Sequence, residues 1–133
     1  KTFVQKSKEK LLKKLDLWLN HDEIGMTKDQ YLRMVEQTGE EIDWDRCPPE
    51  WDDFPTSVET AMNIFNSLGD HIYPEVGYVG KDFTNLEILY KFYKVEETNQ
   101  QDWIFELLLH LESDTIAKSQ KRIKAEYDKI KKK

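Results

Sequence analysis

Apolar residues recur at the 3.6-residue helical period in five stretches of the chain. In the first stretch, leucines and Trp18 form a stripe while the lysines lie mostly off it, which is typical of an amphipathic basic helix. Three later stretches begin with Thr and Gln or Glu at capping-box spacing. Together these patterns predict helices over residues 2–21, 28–38, 57–68, 85–95 and from 99 to the C-terminal end. The fold class is therefore mainly α, and we expect a compact bundle of about five helices.

The same apolar stripes predict the core. The stripe of the fourth helix is the widest, so this helix is expected to be central and heavily buried. The predicted core residues are Leu15, Leu32, Val35, Phe65, Leu68, Leu89, Phe92, Leu107 and Leu108.

Two segments between the helices are rich in aromatic residues but lack helical patterning. Residues 40–55 contain Pro48 and Pro49, which forbid a helix, and residues 70–83 are interrupted by a proline and two glycines. We expect both segments to be ordered and irregular. The first should lay its rings on the helices with its carboxylates in water, and the second should be a packed loop with at most a brief strand.

Apolar positions become sparse after residue 114. Ile116, Ile123 and Ile130 are seven residues apart, which gives a heptad seam one residue wide, and Tyr127 is a further apolar position. We expect a projecting basic helix that is dispensable for folding and required for association, with these four residues as its contacts.

The length of 133 residues fits one domain, so we expect residues 1–133 to form a single domain with 115–133 as a possible helical extension. An aromatic content of 12% argues against disorder. No apolar run approaches the ~20 residues of a membrane span. The single cysteine excludes an internal disulfide framework and a multi-cysteine zinc site.

Charge is distributed unevenly along the chain, whose net charge is -6. Residues 26–60 and 61–114 each hold three basic and ten acidic residues, whereas residues 115–133 hold eight basic and two acidic ones. An acidic body repels a nucleic-acid backbone, while a basic end attracts one. The Lys-rich end is most simply interpreted as a solvated helix, because lysine near a helix C-terminus complements the dipole.

A search for catalytic motifs gives little. Residues 77–81 lack the spacing of a phosphate-binding loop, and the three histidines lack metal-ligand spacing with one another or with Cys47. Carboxylates crowd residues 43–53 and could attract a divalent cation, but the EF-hand spacing is absent. We therefore expect no cofactor, and a non-enzymatic role is favoured over an enzymatic one.

The acidic, aromatic positions are better interpreted as a docking surface for a protein. The candidate interaction surface comprises Asp43, Trp44, Asp45, Trp51, Asp52, Asp53, Tyr78 and Lys81. The favoured function is a protein–protein interaction module, with another protein or a second copy of the chain as partner. One alternative is a divalent-metal-dependent nuclease or nucleotide hydrolase that uses the acidic segment. Another is nucleic-acid binding through the basic C-terminal helix.

Three motifs resemble small uncharacterised proteins of tailed bacteriophages, marine ones especially. The pattern M-T-x-x-Q-Y-L matches Met26–Leu32, P-P-x-[WF]-x-D-F-P matches Pro48–Pro55, and G-K-D-[WFY]-[TS]-x-L matches Gly80–Leu86. Residues 1–25 precede the methionine at which such proteins would begin. The resemblance implies a viral origin and no activity. A phage assembly or host-takeover adaptor is an example of the interaction module favoured above. The expected location is cytoplasmic (the host cytoplasm for a viral protein) or virion-associated.

Overall fold

A computed structural model describes residues 2–132. The chain is mostly helical with one small two-stranded sheet, which confirms the mainly α class. It divides into two compact units, Lys1–Pro55 and Thr56–Lys133, and each is described by itself. A single domain over residues 1–133 stays a prediction. Among the helices of residues 2–132, none is long and apolar enough to cross a membrane.

The first unit contains three α-helices and one 3-10 turn. They are α1 (Phe3–Leu19), α2 (His21–Ile24), α3 (Lys28–Thr38) and the turn Trp51–Asp53.

Capping explains where α1 and α3 begin and end. Thr27 and Gln30 form the predicted capping box of α3, and Gly39 ends that helix in the left-handed conformation. Thr2 and Gln5 make the same box at the start of α1. The predicted helix over 2–21 is divided at Asn20, and the chain continues as the short α2.

The core of the first unit joins α3 to the proline-containing segment. Tyr31, Val35 and Cys47 are buried together, with Met26 and Leu32 packed against them. The Tyr31 hydroxyl donates to the carbonyl oxygen of residue 43 and accepts from the amide of the same residue, both at 3.2 Å. Because these bonds hold the backbone directly, the segment is ordered, and it is irregular except for the 3-10 turn Trp51–Asp53.

The second unit contains three helices and a β-hairpin. They are α4 (Thr56–Ser67), β1 (Gly69–Tyr73), β2 (Gly77–Asp82), α5 (Leu86–Phe92) and α6 (Thr98–Lys131). The strands are antiparallel, and their register shifts between His71 and Ile72. Helix α6 packs against both α4 and β2. The buried apolar side chains of α4 and α6 are Val58, Ala61, Ile64, Phe65, Ile104, Leu107, Leu108 and Leu111.

The hairpin corrects the prediction of a packed loop over residues 70–83. Glycine interrupts a strand pattern, but here it permits close contact with α6. Gly80 has φ +143°, and a Cβ built there would lie 2.9 Å from Glu112 Oε2. Glu112 accepts a hydrogen bond from the amide of Lys81 at 2.7 Å. The glycines therefore mark where the hairpin meets the helix.

Helix α5 corrects three further predictions: its end, the burial of Phe92 and the expectation of a heavily buried helix, since Tyr90 is the one buried residue of α5. It ends at Phe92, before the predicted boundary at residue 95, and Lys94 has φ +58° where the chain turns toward α6. Phe92 is 74% exposed and does not belong to the core. The apolar arc of this helix is wide, and Tyr90 takes the buried position, with its hydroxyl donating to the carbonyl of Gln101 at 3.1 Å. Leu89, on the same helix, is only partly buried.

Candidate binding groove

An open groove of about 650 Å³ lies in the first unit. It is bounded by the end of α1, the loop and first turn of α3, and the residues that follow Cys47. Its apolar wall includes Trp18, Met26, Pro48, Pro49 and Trp51. The volume falls within the range typical of ligand-binding clefts, about 300–1,000 Å³.

Contacts between aromatic rings hold the tryptophan wall of the groove in place. The ring centroids of Trp18 and Trp51 are 5.6 Å apart, and Phe54 lies 6.3 Å from Trp18 and 5.9 Å from Trp51. The ring centroid of His21 lies 5.8 Å from that of Trp18. Tilted and edge-on pairs of this kind each stabilise a fold by about 0.5–1.5 kcal/mol beyond area burial. The ring contacts therefore preorganise the wall of the groove.

An ion pair ties the proline segment to α3. Lys28 Nζ lies 2.9 and 3.0 Å from the two carboxylate oxygens of Asp53, and both side chains are about three-quarters covered. Asp53 also accepts from the amide of Glu50 at 2.9 Å. That backbone bond, followed by Lys28, lowers the pKa of Asp53, and the bond to Asp53 raises the pKa of Lys28. The pair keeps the proline segment beside the first turn of α3.

The rim of the groove is acidic. Asp22, Asp29 and Glu50 line it and are exposed. Lys28, the lysine of the lining, is already neutralised by Asp53. The groove therefore favours a ligand that combines apolar surface with positive charge.

The predicted interaction surface is divided by the structure. Trp51 lines the groove and Asp53 supports it, whereas Trp44, at 57% exposed, does not line it. Asp43 accepts from the amide of Asp45 at 3.1 Å. These two carboxylates and Asp52 are exposed. Within residues 2–132 no group of three His, Cys, Asp or Glu side chains is placed to hold a metal ion.

Tyr78 and Lys81 do not belong to an accessible surface, which corrects their assignment. Tyr78 is 8% exposed, and burial, with smaller effects from nearby carboxylates, raises its pKa to about 12. The side chain of Lys81 is 10% exposed. Its ammonium lies 2.7 Å from Asp70, 3.3 Å from the carbonyl of Leu68 and 4.3 Å from the Phe65 ring centroid. A lysine with these partners holds the hairpin on α4.

The predicted association helix is also divided. Ile116 and Ile123 are half-buried, and a Cβ built on Gly77 would lie 2.5 Å from Ile123 Cδ1. By contrast, Tyr127 is 59% and Ile130 69% exposed. The part of the helix near Ile123 therefore supports the hairpin, which argues against the expectation that everything after residue 114 is dispensable for folding.

Sequence reasoning missed most of the groove. Periodicity places Trp18 in a helical stripe, and Pro48 and Pro49 break a helix, so neither signal places these residues in a groove. The available signal was the run of prolines and aromatics in residues 48–54, which is typical of a rigid apolar surface. No protein-family model, curated protein or solved structure matches this chain, so the ligand of the groove has to be inferred from the groove's own residues.

Proposed function

We propose that this protein is a non-enzymatic protein–protein interaction module that binds an extended segment of its partner in the groove of the first unit. The observation that carries the proposal is the open groove walled by Trp18, Trp51, Pro48 and Pro49. Aromatic-lined grooves are a recurring means of recognising proline-rich, extended peptides, because such peptides lose little entropy on binding. The ring contacts and the ion pair with Asp53 preorganise the wall, which lowers the cost of binding.

The chemistry of the partner follows from the rim. Exposed carboxylates of Asp22, Asp29 and Glu50 favour arginine or lysine beside the prolines. The partner segment is therefore basic and proline-containing.

The test is a fluorescence titration with three synthetic peptides of equal length. The first alternates proline with arginine, the second replaces arginine by glutamate, and the third replaces proline by glycine. We expect the first to bind, and the other two to bind at least about tenfold more weakly. Equal binding of the arginine and glutamate peptides would contradict the claim that the acidic rim selects a basic partner. If none of the peptides binds, the proposal that the groove is a peptide-binding site is wrong.

Two tryptophan variants locate the site. Trp51→Ala removes one wall and should weaken binding by about 30-fold, because a tryptophan anchor at an interface is worth about 2 kcal/mol or more. Trp44→Ala is the matched control, since Trp44 is exposed and lies outside the groove lining. Circular dichroism checks that both variants are folded. An equal loss in both would place the binding site elsewhere.

The wider biological role remains part of the proposal. The resemblance to bacteriophage proteins supports an adaptor in phage assembly or host takeover, located in the host cytoplasm or the virion. We also propose that the fold is a compact helical bundle whose basic C-terminal end projects from it. Its support is that all residues of α6 from Lys124 onward are exposed as far as residue 132.

Nucleic-acid binding is a second candidate, favoured by the exposed lysines of that basic end. Phosphate contacts weaken steeply with salt, so a DNA or RNA titration at two salt concentrations tests it. Binding that is absent at low salt would exclude this candidate.

A further inference from the structure

We propose that the protein associates with itself through a second surface: the exposed end of α6 in one copy docks on the acidic strip of residues 40–45 in a second copy. This contact uses residues that do not line the groove of the first unit, so each proposal can be tested independently of the other.

The first half of the contact is an apolar groove in the second unit. A groove of about 470 Å³ lies between the hairpin turn and the last turns of α6. Its apolar lining is Pro74, Ile123, Tyr127 and Ile130, and its charged lining is Glu75, Arg122 and Glu126. Tyr127 and Ile130 are more than half exposed. On the hairpin side, Ile72, Tyr73 and Val76 are also exposed. Large apolar side chains grouped in this way are typical of an interaction site.

Charge decides what covers this groove. Residues 115–132 contain seven basic and two acidic residues. Within the helix Lys118 pairs with Asp114 at 2.9 Å, and Lys129 pairs at 3.5 Å with Glu126, an acidic residue of the groove lining. The remaining excess is positive, so two α6 ends would repel each other. The occupant is therefore an acidic segment that also presents bulky apolar side chains.

The chain itself carries such a segment. Four carboxylates lie within residues 40–45, and Ile42 and Trp44 are exposed between them. The strip and the α6 end are thus opposite in charge and alike in apolar character. Because every copy carries both surfaces, the strip of one copy can meet the α6 end of another, and the expected assembly is a two-fold dimer, the commonest closed form for copies of one chain.

A charge exchange tests the pairing. One variant, Lys124→Glu with Lys131→Glu, reverses charges at the α6 end, and a second, Glu41→Lys with Asp45→Lys, reverses them in the strip. All four side chains are exposed. We expect the wild-type chain to form dimers in analytical ultracentrifugation, more weakly at high salt. Each variant alone should self-associate at least about tenfold more weakly, because like charges then face each other in both contacts.

Mixing the two variants is the decisive measurement. In a mixed dimer both contacts again join opposite charges, so the mixture should dimerise while neither component does. The matched control is Lys6→Glu with Lys10→Glu, two exposed lysines of α1, which should leave dimerisation unchanged. Circular dichroism verifies folding, and Tyr127→Ala, which changes no charge, should also weaken the dimer.

Three outcomes would overturn the proposal. A wild-type chain that stays monomeric at all concentrations excludes self-association. Stronger dimerisation of the α6 variant alone would indicate pairing between α6 ends. A mixture that fails to dimerise, with both variants folded, excludes the acidic strip as the occupant.

Discussion

Replacing Gly77 by alanine tests how the hairpin is seated on α6. Gly77 has φ +86°, a conformation that L side chains rarely adopt. A Cβ at this position would lie 2.5 Å from Ile123 Cδ1 and 3.0 Å from Ser119 Oγ. The hydroxyl of Ser119 accepts a hydrogen bond from the amide of Tyr78 at 3.3 Å, so the substitution disturbs a contact that orients β2.

The expected cost has two parts. Placing alanine in a left-handed conformation costs about 1–2 kcal/mol. Overpacking against Ile123 and Ser119 adds about 1–3 kcal/mol, at the lower end where the end of the isoleucine can rotate away. We therefore expect Gly77→Ala to lower the free energy of unfolding by about 2–5 kcal/mol.

A double-mutant cycle separates the two parts. Ile123→Val removes the methyl group that lies nearest to the new Cβ. Alone it should cost about 0.5–1.5 kcal/mol, as isoleucine-to-valine changes usually do. In the Gly77→Ala background it should cost less or even stabilise, giving a coupling energy of about 1–3 kcal/mol. The conformational part of the cost should remain in the double variant.

Urea denaturation followed by circular dichroism gives the free energies, and amide exchange of Lys81 reports on the hairpin itself. The amide of Lys81 donates to Glu112, so it should exchange faster in Gly77→Ala and recover in the double variant. A coupling energy below about 0.5 kcal/mol would mean that Gly77 and Ile123 are independent, and the hairpin would then not rest on α6 as described.

Three further substitutions test other parts of the fold by urea denaturation. Tyr78→Phe should leave the free energy of unfolding unchanged or raise it by about 1 kcal/mol, because the hydroxyl is buried with no protein partner in residues 2–132. The wild-type protein should lose stability between pH 10 and about 12, because Tyr78 ionises in the unfolded state before it ionises in the folded state, and Tyr78→Phe should remove that loss. Asp53→Asn should lower the free energy of unfolding at neutral pH, because the lowered pKa of Asp53 means that its ionised form stabilises the fold. This stabilisation disappears when Asp53 is protonated, so the stability of the variant should decrease less steeply than that of the wild type below about pH 4. Phe92→Ala should change stability by less than about 0.5 kcal/mol, whereas a core phenylalanine would cost about 3–5 kcal/mol.

The local capping signal was sufficient for α3 but not for the two later helices: α4 begins at Thr56 itself, and α5 has Asn85 as its N-cap, with no side-chain cap bond. Thr27, Gln30 and Gly39 lie within one short stretch, and the structure shows the bonds that their spacing predicts. The capping box of Thr2 and Gln5 could have been found in the same way. Such features are predictable because both partners are neighbours in the chain.

The hairpin and the groove depend on partners that are distant in sequence. Lys81 meets Glu112, which lies 31 positions later, and Lys28 meets Asp53, which lies 25 positions later. Periodicity contains no information about such pairs, so Gly80 was interpreted as a break in a strand. Phe92 was misplaced for a related reason: a wide apolar arc does not indicate which of its sides faces the core.

The burial of Cys47 gives the protein an intrinsic chemical reporter. It is the chain's single cysteine, it is buried beside Pro48, and burial raises its thiol pKa, so the reactive thiolate is scarce in the native state. A thiol reagent should therefore modify it chiefly when the proline segment opens, and the labelling rate should follow the population of that open state. Pro48 also lines the groove of the first unit. A ligand that binds there and favours the closed segment should slow the labelling of Cys47. The labelling rate would then measure occupancy of the groove without an attached probe.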